Sequence, residues 1–88
     1  MKLLNNSGLS NIYLIEVNKY FNVYKFDTIL GTVRIENSRQ GYHIDFGISK
    51  YLKDDNGCIV HFWCVDEALK RLVIICDTEV KRLTKYLK

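Results

Sequence analysis

The chain has 88 residues, a hydrophobic content of 48% that includes six tyrosines, four phenylalanines and one tryptophan, and a formal net charge of +3 from 13 Lys and Arg against 10 Asp and Glu. That length suits one domain whose core hides roughly 60–65% of the unfolded surface, and it excludes two ordinary domains. The aromatic content excludes a disordered chain, and the slight basic excess permits an acidic partner while arguing against a mimic of DNA.

Residues 1–10 read as a loose N-terminal arm, because Asn5-Asn6-Ser7-Gly8 interrupts Met1-Lys2-Leu3-Leu4 before the apolar stretch of a secretory signal forms. The next segment is rich in β-formers: Ile12-Tyr13-Leu14-Ile15-Glu16-Val17 and Phe21-Asn22-Val23-Tyr24-Lys25-Phe26 flank Asn18-Lys19 and predict a hairpin. A third strand is expected from Ile29 to Glu36, with Ile29, Gly31, Val33 and Ile35 on one face and Leu30, Thr32, Arg34 and Glu36 on the other. The turn Asn37-Ser38-Arg39-Gln40-Gly41 then leads into a strand from Tyr42 to Ile48, in which Tyr42, Ile44 and Phe46 oppose His43 and Asp45. Past the turn signal Asp54-Asp55-Asn56-Gly57, Cys58 to Cys64 reads as a fifth strand. There the more apolar set Cys58, Val60, Phe62 and Cys64 faces away from Ile59, His61 and Trp63.

From Val65 to Lys88 the apolar residues Val65, Leu69, Leu72, Val73, Cys76, Val80, Leu83 and Leu87 fall on one side at about 100° per residue, which predicts a helix. Asp66 and Glu67 at its start and Lys85 and Lys88 at its end complement the helix dipole. A break at Asp77-Thr78, both good N-caps, would give two shorter helices. The expected fold is α+β: a single domain spanning 1–88, built as an antiparallel meander of four to five strands with the C-terminal helix, or two short helices, packed on one face. No apolar run approaches the ~20 residues of a membrane span. Three cysteines, an odd number, point to free and mostly buried thiols in a cytoplasm.

Residue types that could carry chemistry occur without the patterns that chemistry needs. In Cys58-x-x-His61-x-x-Cys64 a strand sends both cysteines one way and His61 the other, so no metal site is expected. His43 with Asp45, and His61 with the cysteines, lack a Gly-rich elbow or an oxyanion turn, and a deep pocket holding His43 or His61 beside a cysteine is not expected. Asp54-Asp55-Asn56-Gly57 lacks the first carboxylate and the closing glutamate of a calcium loop. The expectation is a protein without catalytic residues, metal or cofactor.

Two surfaces remain. On a continuous helix Lys70, Arg71, Lys81, Arg82, Lys85 and Lys88 lie within ~120° of arc, with Ile74 among them. A solvated face held by Asp66–Lys70 and Asp77–Lys81 pairs accounts for this pattern; a strip that meets phosphates or an acidic protein surface, with Ile74 as an apolar anchor, is the functional reading. On the sheet face away from the helix Arg34, His43, His61 and Trp63 can gather, and Trp and Arg are enriched at the energetic centres of interfaces. Trp63 packed under the N-terminal arm or in the core is the structural counterpart.

The strands followed by Phe62-Trp63-Cys64-Val65-Asp66-Glu67-Ala68-Leu69-Lys70-Arg71-Leu72, in a small chain rich in Lys, Asn, Ile and Tyr, resemble small accessory proteins of bacteriophages and mobile elements, including anti-CRISPR and other anti-defence inhibitors. The resemblance implies a stoichiometric inhibitor, monomeric or homodimeric, that occupies a functional surface of a host protein or nucleoprotein complex in the bacterial cytoplasm without catalysis. The alternative is a small nucleic-acid-binding module, with lysines on phosphates and Trp63 or a tyrosine stacked on a base.

Overall fold

The structure is a computed structural model and describes residues 12–86; the expected N-terminal arm lies outside them. Four strands, β1 (Tyr13–Asn18), β2 (Val23–Thr28), β3 (Gly31–Ser38) and β4 (Gly41–Asp45), form one antiparallel sheet in chain order, and a single helix, α1 (Val65–Tyr86), follows. The fold is an α+β meander with its C-terminal helix packed against the sheet.

Local side-chain chemistry closes each hairpin. The Asn18 carboxamide oxygen accepts the N–H groups of Tyr20 and Phe21 at 3.0 and 3.3 Å, so the chain reverses before β2. Thr28 and Ser38 end β2 and β3 with the same device: the hydroxyl donates to the carbonyl three residues on (Gly31 at 2.9 Å, Gly41 at 2.8 Å) and accepts the N–H two residues on.

The register puts Phe26 opposite Val33, and Ile35 opposite both Tyr24 and Ile44, so these side chains share one face. Phe26, Val33, Ile35 and Ile44 are fully buried there against Ala68, Leu69, Leu72 and Cys76 of the helix, with Val65 at its start. Each large apolar side chain removed from water contributes about 1.5–3 kcal/mol. The helix lies over β3 and β4. Its stripe follows the expected periodicity through Cys76, gains Ala68 and thins toward the C-terminus, where Val80 is half-buried and Leu83 is exposed. No break occurs at Asp77-Thr78: the Thr78 hydroxyl donates back to the Ile74 carbonyl at 2.8 Å within the same helix and caps nothing.

The expected strands after β3 need correction. β4 ends at Asp45, not Ile48, because Gly47, Ile48 and Ser49 all take positive φ in a turn closed by Phe46 N–H to Lys50 O at 2.8 Å. Cys58–Cys64 is not a fifth strand but part of an irregular excursion that returns to β4. Its contacts are isolated bridges, Asp45 with Tyr51, Lys53 with Ile59 and Tyr42 with Phe62. Asp54 folds the excursion on itself by accepting the Asn56 and Cys58 N–H groups at 2.9 and 3.0 Å. Two arms then share the free edge of β4: Leu52 donates to Ile44 O at 2.9 Å, while Tyr42 and Phe62 exchange bonds of 2.9 and 2.7 Å. With the edge divided, neither arm can pair along its whole length.

Thiol burial is also corrected. Only Cys76 is buried; Cys58 follows the turn and Cys64 precedes the helix, and both are exposed. Among the described residues no helix is long and apolar enough to cross a membrane.

Candidate functional site

The sheet face opposite the helix carries a ladder of charges. Register aligns Glu16, Lys25, Arg34 and Asp45 across the four strands, with Glu36 opposite His43 one step along. Arg34 Nη2 donates to Asp45 Oδ2 at 3.1 Å, and Arg34 Nε lies 3.9 Å from Glu36 Oε2; Glu36 Oε1 is 3.1 Å from His43 Nε2. Asp45 is 2% exposed and its second oxygen accepts the Gly47 N–H at 2.8 Å. Arg34 therefore neutralises a buried carboxylate, which would be costly to leave unpaired. The His43 ring meets Tyr51 edge-on at 4.9 Å and His61 at 6.1 Å between centroids. Arg34, His43 and His61 thus come together as expected, although the returning excursion shelters the β4 side of this face.

Trp63 adjoins this group through His61, with which it lines a cleft. It is 92% exposed, and the cleft, of about 460 Å³, lies between the β3–β4 turn (Asn37 to Gly41) and His61–Trp63. A second, open cleft of about 540 Å³ shares Ser38, Gln40 and His61 with the first and extends to His43, Tyr51 and Cys58. This open cleft is lined by two histidines and a cysteine, and it is not the deep pocket that catalysis by them would call for. Neither imidazole is hydrogen-bonded to the Cys58 thiol, whereas His43 Nε2 is engaged by Glu36; an activated nucleophile needs a base within hydrogen-bond reach. Among the described residues no three His, Cys, Asp or Glu side chains are grouped to hold a metal ion.

Lys70, Arg71, Ile74, Lys81, Arg82 and Lys85 are all exposed on α1. Among the described residues Glu79 and Arg82 form an ion pair on this helix, at i,i+3, with Arg82 Nε donating to Glu79 Oε2 at 3.1 Å; the expected Asp66–Lys70 and Asp77–Lys81 pairs do not form. The Arg82 hydrogen bond holds the Glu79 carboxyl below the usual range. Asp77 is half-buried, and its Oδ1 has no hydrogen-bond partner among the described residues.

The two candidate surfaces meet. The Arg71 guanidinium lies 5.9 Å from the centre of the Phe62 ring, a cation–π contact, and Phe62 lines the Trp63 cleft. Arg39, Gln40 and Asn37 join this site from the β3–β4 turn. Their sequence signal is that of an ordinary turn, and only the long-range pairing of Tyr42 with Phe62 brings them to Trp63. No protein-family model, curated protein or solved structure matches the chain.

Proposed function

We propose that the chain is a non-enzymatic binding protein whose contact surface is centred on Trp63. In the manner of the phage accessory inhibitors it resembles, it occupies a functional surface of a host protein or nucleoprotein complex in the bacterial cytoplasm. The observation that carries this reading is the 92% exposure of the one tryptophan, which lies outside the core formed by the described residues. A large aromatic side chain left in water contributes little to folding, and it is the residue type that most often anchors an interface. The Arg71 guanidinium nearby favours an acidic partner surface.

The test is capture of partners from bacterial lysate by the tagged protein, with and without nuclease, comparing the native sequence with Trp63→Ala. The expected result is a defined partner captured by the native sequence and lost from the variant, whose denaturant midpoint is unchanged. Full capture by a folded Trp63→Ala variant would overturn the reading. The junction of the basic helix face with the Trp63 cleft favours a second reading, a small nucleic-acid-binding module. Affinity for nucleic acid falling steeply between ~50 and 200 mM salt would single it out.

A further inference from the structure

We infer that the cleft between the β3–β4 turn and Trp63 is a nucleotide site, in which a base stacks on the indole and its phosphate is held between Arg39 and Arg71. The inference rests on the reading that this surface binds a partner, and it names the chemistry of what is bound.

The arginines carry the argument. Of the four in the chain, Arg34 is paired with Asp45 and Arg82 with Glu79. Arg39 and Arg71 have no carboxylate partner among the described residues; Arg39 lines the cleft, and Arg71, outside the lining, lies over the ring of Phe62, which is part of it. No carboxylate among the described residues lines the cleft: Glu36, next to Asn37, is engaged by His43 and Arg34, and Asp66 and Glu67 sit in the first turn of α1 outside the lining. A guanidinium group in the lining and a second on the Phe62 ring, neither held by a carboxylate, together with an exposed indole match an anion attached to a flat ring. Asn37, Gln40 and His61 add donors and acceptors for the edge of a base.

The site is also held in shape before any ligand arrives. The paired bonds between Tyr42 and Phe62 clamp the turn to the segment that carries Trp63. Gly41 packs so tightly there that a Cβ would lie 2.6 Å from the Phe62 carbonyl oxygen. Preformed walls reduce the ordering that binding must otherwise impose. The volume, about 460 Å³, falls in the range of small-molecule sites.

Because Trp63 is the one tryptophan, its fluorescence reports on this site directly. The full chain is titrated at low salt with a free mononucleotide and with a short single-stranded oligonucleotide. Arg39→Ala and Arg71→Ala are measured alongside, with their denaturant midpoints as a check on folding. Saturable quenching is expected, weakened about 10-fold or more in each folded arginine variant, with log K falling against log salt by about 0.7 per phosphate contact. Equal affinity for both probes assigns a free nucleotide; tighter binding of the oligonucleotide assigns a single strand. Absence of quenching by both probes, or quenching indifferent to both arginine substitutions, overturns the nucleotide site. If the nuclease-treated lysate then still yields a protein partner that depends on Trp63, the proposed function stands without it.

Discussion

Cys58, Cys64 and Cys76 carry the same group in different settings. Two thiols are exposed, while Cys76 is fully buried against the sheet. Burial pushes the Cys76 thiol up; a hydrogen bond with the Thr28 side chain acts the other way, and the charge of Asp77 adds to the rise. A pKa raised on folding means that the stability this group contributes is fully present below the ordinary thiol pKa and is lost as the pH rises through the raised value. At neutral pH a thiol reagent is expected to titrate Cys58 and Cys64 rapidly and Cys76 only after denaturant is added. Three fast thiols in the folded protein would contradict the packing of α1. Arg34 has a comparable double character: its side chain is partly exposed on the candidate face, yet its bond to Asp45 makes it a support of the fold.

Among the elements, the β3–β4 hairpin does the most to build the site. Gly41 has φ +121 and a Cβ there would meet the Phe62 carbonyl, whereas at Gly31, with φ +96 at the equivalent place in the β2–β3 hairpin, a Cβ would enter open space. Gly41→Ala is expected to lower stability by about 1–3 kcal/mol from backbone strain alone, and by more than Gly31→Ala because of the added clash. Denaturant midpoints of the two variants check this, and equal losses would mean that the turn is not pressed against Phe62. The β3 strand was legible in the sequence because Val33 and Ile35 alternate with Arg34 and Glu36 at the period of a strand, and α1 because its stripe recurs at the period of a helix. The run from Cys58 to Cys64 alternates as well, but alternation cannot reveal whether a partner edge is free along its whole length. In this chain Leu52 already occupies part of that edge. The cleft was illegible for the same reason, since the turn residues Asn37 to Gly41 reach Trp63 only through one non-local bridge.

At the scale of the whole molecule, α1 seals one side of the sheet over β3 and β4, and the excursion between β4 and α1 closes the β4 edge. The polar ladder on the opposite face is largely satisfied internally, through Arg34–Asp45 and Glu36–His43. The proposed contact surface is the junction where Trp63 and Arg39 approach the basic side of the helix, through Arg71 on the Phe62 ring. The sequence left Trp63 divided between an interface and a place in the core or beneath the N-terminal arm; the arm lies outside the described residues, and among those described the indole lies outside the core. The emission spectrum of the native protein without ligand tests that placement most directly, because one indole gives the whole signal. The account predicts emission at the wavelength of a water-exposed indole, unmoved by unfolding in denaturant. A blue-shifted native spectrum that moves to the red on unfolding would put Trp63 in an apolar interior and contradict it.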